Sequence, residues 1–336
     1  AADSGNVTYC DTSWDYVRAV GGGVLLEGGE LRISGSTIQN NTAHRSGSCS
    51  CNHPDYEYFL GLGGGIFTRY ATLEVEGTTF SSNSAHHPGT VCLAGSGGGV
   101  AVFETSVTMV NTEFWNNSAS VGLNALNLCV AGGGGGFWSY YAPEIKMANC
   151  AFAGNFANMG GSGLFFAHSV GELYGVAATA NSGSTYGSGA YLDSGSLSLY
   201  NSVFWGNSGT SPQFSQVALG YGGECEGYRK LFTYYTDIYN TAGGNGCLPG
   251  CSGSNGACVS PRHFDPGFVD PGAVPPDLRL QPTGAAVNAG SNDAAHQAPD
   301  WLDIDGDGDT AEDIPLDPDG NPRRNGTMDL GAYERP

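Results

Sequence analysis

Charge is scarce in this chain, and basic charge is scarcest. Asp, Glu, Lys and Arg make up 13% of 336 residues, with 12 basic against 32 acidic side chains. The formal net charge of −20 argues against nucleic acid and anionic membrane surfaces as partners. It suits solubility or the capture of cations. No apolar run is long enough to span a membrane as a helix. No segment carries an apolar stripe at helical period, which excludes an α-helical architecture. G-x-S-x-G, phosphate-loop and Rossmann fingerprints are missing too, and with them the commonest signatures of hydrolases and nucleotide enzymes.

What is abundant is glycine, 55 residues without a collagen-like period, and a repeat. In Gly21 to Asn41, Val24 is followed nine residues on by Ile33, five further by Ile38 and three further by Asn41. The spacing returns as Ile66–Val75–Phe80–Asn83 and Val100–Met109–Phe114–Asn117. It returns again as Leu164–Leu173–Ala178–Asn181 and Ala190–Leu199–Phe204–Asn207, and with one extra residue as Phe137–Met147–Phe152–Asn155. A fixed period of this size means a solenoid, propeller or array. Pieces such as Leu31-Arg32-Ile33 and Leu197-Ser198-Leu199 alternate at strand period. Where connections are shortest the repeat is 26 residues (9 + 5 + 3 + 9), short of a propeller blade and right for one coil of a three-sided parallel β-helix.

Such a coil buries its inward side chains against the coils above and below, about 4.8 Å away. Like residues must then stack. Val24, Ile66, Val100, Phe137, Leu164 and Ala190 form one expected column; Ile38, Phe80, Phe114, Phe152, Ala178 and Phe204 form a second. Glycine triplets before the first column fit a corner needing positive φ or close backbone approach. Asn41, Asn83, Asn117, Asn155, Asn181 and Asn207 form a third column, read as turn-capping corners.

The expected organisation is an N-terminal cap at 1–20, coils over 21–260, and a Pro/Asp-rich end of the same solenoid at 261–336. Inserts at about 43–62, 84–96 and 118–133 leave the coils at one corner. Ten cysteines beside so few basic residues indicate an oxidising, secreted setting. The disulfide candidates are Cys10, Cys49, Cys51, Cys92, Cys129, Cys150, Cys225, Cys247, Cys251 and Cys258, with cross-links expected among the stacked inserts and pairing unassigned. A zinc reading of Cys247, Cys251 and Cys258 is the alternative for that cluster. Asn6, Asn40, Asn116 and Asn325 occupy glycosylation sequons. No signal peptide is visible; Ala1-Ala2-Asp3 reads as a mature terminus after cleavage.

The GGGV and GGGI pieces at Gly21–Val24, Gly63–Ile66 and Gly97–Val100, with F-x-x-N at Phe80–Asn83, Phe114–Asn117, Phe152–Asn155 and Phe204–Asn207, resemble repeats of polymorphic outer-membrane proteins. The C-terminal series is Phe264–Pro271, Asp277–Leu280, Ala286–Gly290, Asp319–Arg323 and Asp329–Glu334. In that order it resembles the end of the choice-of-anchor Q domain of secreted bacterial β-helix proteins. The resemblance implies a right-handed, single-stranded parallel β-helix at a cell surface, and no defined activity. The chain ends at Pro336 without a sorting motif or hydrophobic tail.

Three features bear on chemistry. Asp303, Asp305, Asp307 and Asp309 alternate along DIDGDGDTAED, with Glu312 and Asp313 following; converging carboxylates suit Ca2+, held structurally. Asp303, Asp305, Asp307, Asp309 and Asp313 are the expected ligands. Position twelve from Asp303 is Ile314, so the loop lacks the bidentate Glu of an EF-hand. Next, the residues after the first column, Leu25, Phe67, Ala101, Trp138, Phe165 and Tyr191, should point outward. Phe67, Trp138, Phe165 and Tyr191 would make a face for self-association, a protein partner or sugar rings, unless the inserts cover it. Last, Glu27, Arg69, Glu104 and Asp193 lie near that face on different coils, too dispersed for the paired carboxylates of a glycosidase. His44, His53, His86 and His87 sit in the inserts without a nucleophile beside them. The favoured reading is a secreted structural or adhesive cell-surface protein, able to self-assemble into a filament and not an enzyme. A carbohydrate-binding or polysaccharide-degrading β-helix, lyase or glycosidase, is the alternative.

Overall fold

The computed structural model describes residues 19–44, 60–87, 95–121, 132–183, 187–209, 216–220, 229–238, 256–260 and 262–336. Among these the chain is all-β, with Ala294–His296 as the single short 3-10 turn. Each repeat contributes strands to parallel sheets, here called walls. Wall A has 13 strands. Its first members, Val24–Ser34 and Ile66–Glu76, run unbroken through a bend; later repeats split there, as Val100–Phe103 and Ser106–Val110 do. Wall B has seven strands, beginning Thr37–Gln39, Thr79–Ser81 and Glu113–Trp115. Wall C has four: Thr42–His44, Ser84–His87, Ser118–Val121 and Phe156–Ala157.

The expected columns are in register. Val24 pairs with Ile66, Ile66 with Val100, Val100 with Phe137, Phe137 with Leu164, and Leu164 with Ala190; Val217 extends the file. In wall B, Ile38, Phe80, Phe114, Phe152, Ala178 and Phe204 follow one another, and Ile238 extends it. Phe80, Phe114 and Phe152 stack nearly parallel at 4.7 and 4.6 Å. One apolar core, fully buried from Ile66 to Leu231, results.

The corners are built from backbone. Gly63 and Gly97 adopt φ of +64° and +67°, and a Cβ on Gly64 would lie 2.4 Å from the Gly98 carbonyl oxygen. Both reasons for glycine therefore apply at one corner. The asparagine column is buried from Asn83 to Asn207. Each side-chain amide donates to the next side-chain carbonyl: Asn83 to Asn117 at 3.0 Å, Asn117 to Asn155 at 3.0 Å, Asn155 to Asn181 at 2.9 Å, Asn181 to Asn207 at 2.8 Å. Gln216 closes the series at 2.7 Å. The left-handed backbone falls one residue earlier, at Asn40, Ser82, Asn116 and Ala180. These asparagines thus serve as a hydrogen-bond spine and leave the positive φ to their neighbours.

Two expectations about organisation change. Residues 42–44, 84–87 and 118–121, expected to open the inserts, form wall C instead. Their alternation aligns Ala43, Ala85, Ala119 and Ala157 in one buried file, so the coil extends before any insert leaves it. The region after 262 does not continue the coils. Parallel strands end with Gly256–Val259, and the chain returns along the outside. Its strands, Phe268–Asp270 and Asp277–Leu280, pair antiparallel. Leu278, Leu280, Leu330 and Ala332 pack on Ala151, Ala177 and Val203 of wall B. Ala298 and Ile314 pack on Val110 and Ala148 of wall A. We call this segment the brace; small outward residues on the walls make room for it. A second asparagine file meets it at the corner. Asn111, Asn149 and Asn201 adopt φ near +50°. Asn149 donates to the Leu316 carbonyl at 3.1 Å, and Asn201 to the Ser291 carbonyl at 3.0 Å.

Candidate metal centre

The brace is rich in aspartate because its turns are made by aspartate. Asp265, Asp270, Asp277, Asp305, Asp307, Asp309 and Asp317 each accept a hydrogen bond from the backbone amide two residues on. Between Pro299 and Asp313, which form an isolated antiparallel bridge, these turns coil into a loop. Asp303 has a φ of +54°, and its Oδ1 accepts from the Gly308 amide at 3.0 Å. Gly306 and Gly308 take positive φ with open space around them.

Two carboxylate triads result. Ligand atoms of Asp300, Asp303 and Asp305 lie within 4.8 Å of one another, as do those of Asp305, Asp307 and Glu312. Asp300 is fully buried. Its Oδ2 accepts from the Ile304 amide at 2.8 Å, while its Oδ1 is buried without a partner. In the second triad Glu312 Oε1 is likewise buried and unpartnered. Burial pushes the Asp300 carboxyl above the ordinary carboxylate range, and the charges of Asp305 and Asp303 push it further. Glu312 is raised by burial, then by Asp305, Asp307 and Asp309. Across the contact, Glu76 of wall A is raised by burial and by Asp300. An orphaned buried oxygen among like charges is costly unless something neutralises it. An all-oxygen donor set suits a hard cation, Ca2+ above all.

The structure brings only some of the expected ligands together. Asp303, Asp305 and Asp307 converge. Asp309 joins neither triad and spends its Oδ1 on the Ala311 amide. Asp313 pairs with Arg324 at 2.8 Å. Asp300 and Glu312 complete the two triads. Asp300 stands three residues before Asp303, outside the i, i+2 alternation, and only the run D-x-x-D-x-D ties it to the loop in the sequence.

The outward aromatic file also differs from an open face. Phe67, Trp138, Phe165 and Tyr191 are in register and do point away from the main core, but they are 1%, 0%, 1% and 4% exposed. They form a second buried cluster with Leu62, Phe103, Ala167 and Ala218. Gly133 and Gly160 abut the Phe165 and Tyr191 rings closely enough that a Cβ would lie 2.5 Å and 3.2 Å away. Alternation gave the direction of these rings and not what covers them. Two aromatics that do reach solvent sit at the wall A bend, where Tyr70 and Tyr141 are 52% and 47% exposed and both adopt positive φ; a third, Phe156, is on wall C. Tyr141 stacks on His168 at 4.5 Å.

Arg69 lies beside Glu27 in register and donates to the Tyr70 hydroxyl at 2.8 Å. Glu104 and His168 are exposed at the same bend, and Asp193 is half-buried. His44 and His86 stack at 5.0 Å on wall C, with His86 Nδ1 at 2.6 Å from the Ser120 hydroxyl. His87 is buried. His53 lies outside the described residues. Asn40, Asn116 and Asn325 of the sequons are exposed; Asn6 is outside the described residues.

Cys150 is a correction. It is a free, buried thiol pushed up to about 12 by burial. It occupies the turn position where Thr112 and Ser202 bond a carbonyl two residues back, and its sulfur does the same toward Ala148. Cys258 is disulfide-bonded, which removes it from the zinc reading. Cys10, Cys49, Cys51, Cys92, Cys129, Cys225, Cys247 and Cys251 lie outside the described residues.

No family model matches the chain, and no curated protein matches it significantly.

Proposed function

We propose that this chain is a secreted structural or adhesive protein of a cell surface: a right-handed, single-stranded parallel β-helix with disulfide-bonded inserts and a structural calcium loop. The resemblance to choice-of-anchor Q and polymorphic outer-membrane proteins belongs to this reading. The observation that carries it is the spine of buried asparagines, which ties coil to coil through side chains and makes a stiff rod. A disulfide at Cys258 and an oxygen-lined acidic loop support an oxidising, calcium-containing medium. The partner is a second copy of the chain, stacked into an extracellular filament, or another surface protein.

Near-atomic imaging of the native secreted material tests this. Rods joined end to end through interfaces above about 1,000 Å² support the filament. Uniformly single particles that bind no surface component overturn it. The carbohydrate reading keeps one observation in its favour, the exposed Tyr70, Tyr141 and His168 at the bend. Incubation with a polysaccharide panel, assayed for binding and for new chain ends, decides for that reading or against it.

A further inference from the structure

The two triads share Asp305, and each contains one buried carboxylate oxygen without a partner, Asp300 Oδ1 in one and Glu312 Oε1 in the other. A single ion at either triad would leave the other orphan unanswered. We infer that the loop takes two divalent cations of the calcium type, bridged by Asp305, and that the inner one fastens the brace to the coils. This deepens the calcium part of the reading above and rests on it.

The mechanical link runs through Asp300. Its amide donates to the Glu312 carbonyl at 2.8 Å, and the Ile314 amide donates to the Ala298 carbonyl at 2.9 Å. The two strands of this clip therefore carry the cation ligands Asp300 and Glu312 at one level. They carry Ala298 and Ile314, which pack on Val110 and Ala148, at the next. Glu76 adds a like charge from the coil side of the same contact. Closing the clip without cations brings carboxylates together around a fully buried Asp300. Inner-site binding removes that repulsion, so the docked brace binds the ion better than the undocked brace does. By linkage the ion favours docking to the same degree. The outer triad holds no fully buried carboxylate, only exposed Asp305 and Asp307 and half-buried Glu312, so its ion is assigned to ordering the loop tip and not to the coil contact.

Calorimetric titration of the full chain with Ca2+ and hydrogen exchange at the Ile314 amide test both parts, with the Phe114 amide reporting whether the coils stay folded. Wild type is expected to bind two ions. With free calcium at about a hundred times the dissociation constant, exchange at Ile314 slows about a hundredfold relative to chelator. Asp300→Asn binds one ion and protects Ile314 equally with and without calcium, because the neutral amide removes the repulsion. Glu312→Gln also binds one ion but keeps calcium-dependent protection. One ion in wild type overturns the shared-Asp305 arrangement. Two ions with no change at Ile314, or calcium-dependent protection retained in Asp300→Asn, overturns the latch and leaves the calcium reading standing. No binding at all overturns both, while the rod and filament reading is judged by imaging alone.

Discussion

The coils and the brace solve the same problem, ordering a glycine-rich chain with few charges, by opposite means. In the coils one kind of contact is repeated at every rung: phenylalanine on phenylalanine, asparagine to asparagine, glycine backbone on glycine backbone. In the brace only the aspartate turns repeat, and they stack no residue on its like. Beside its apolar contacts with the walls it is held by buried ions: Arg323, Glu334, Asp317 and Asp329 are all 3% exposed or less. Arg323 donates to the Gly331 carbonyl at 2.6 Å and reaches Glu334 at 3.4 Å. The difference teaches how each half responds to damage. A repeated apolar column spreads its stabilisation over neighbours, as in any quasi-one-dimensional array. A buried charge cluster concentrates it in one residue.

The largest expected effect lies at the middle of the column. Phe114→Ala removes a fully buried ring stacked on both sides and should cost about 3–5 kcal/mol, read from denaturant midpoints. Unfolding should begin in the coils around residue 114, with the brace lost as a consequence. A loss under about 1 kcal/mol would mean the column repacks freely and is not the main support.

The counterpart in the brace is Arg323→Met. Removing the one cation among three buried carboxylates should cost the docked brace about 3–5 kcal/mol. The loss should be local. Protease sites within 262–336 open while amides of walls A and B keep their protection. The corner file explains why this arginine reaches the coils at all: where Asn111, Asn149 and Asn201 stand on other rungs, the rung between them carries Gly175. A Cβ there would sit 2.6 Å from an Arg323 nitrogen. Global unfolding of the variant would erase the distinction between the two halves.

How much of this was legible follows the same division. A column needs like residues at one spacing, so the 9–5–3 marks carry walls A and B, their register and the inward face in the sequence, while wall C, whose short strands lie past the last mark, stays hidden behind the inserts. The brace leaves no such trace. Its contacts join Asn111 to Leu316 and Glu113 to the Tyr333 hydroxyl across most of the chain. Such pairing has no local period. For the same reason alternation placed Phe67 and Trp138 outward yet could not show them covered, and the run of alternating aspartates named Asp305 and missed Asp300.

A smaller effect sharpens the comparison at the junction of the two halves. Asp237 ends the wall B series and is fully buried, accepting from the Phe264 amide at 3.3 Å while its Oδ2 has no partner. Burial, with Asp265 adding, raises its carboxyl from 3.8 to about 7. Below the unfolded value both states are protonated and the contribution to stability is complete; it is lost as pH rises through about 7. Wild type should therefore gain stability on acidification from about pH 8 to about pH 5, and Asp237→Asn should lose its share of that gain while Glu334, likewise raised to about 7 by burial, keeps its own. Equal pH slopes in the two proteins would remove Asp237 from the account.

The smallest expected effect tests the claim that coil positions are interchangeable between rungs. Cys150 occupies the place held by Thr112 one rung earlier and by Ser202 two rungs later. Those hydroxyls donate to the carbonyl two residues back at 2.9 and 2.8 Å, and the Cys150 thiol makes the corresponding weaker contact at 3.3 Å. Cys150→Ser trades a weak donor for a strong one in a geometry the fold already uses, against the loss of a buried sulfur's packing. These terms oppose each other, and the net change should stay within about 1 kcal/mol. The wild-type thiol, raised to about 12 and buried, should resist thiol reagents until the coils unfold. A loss well beyond about 1 kcal/mol in the serine variant would show that each rung is individually fitted, and that the uniformity of the columns stops at the core.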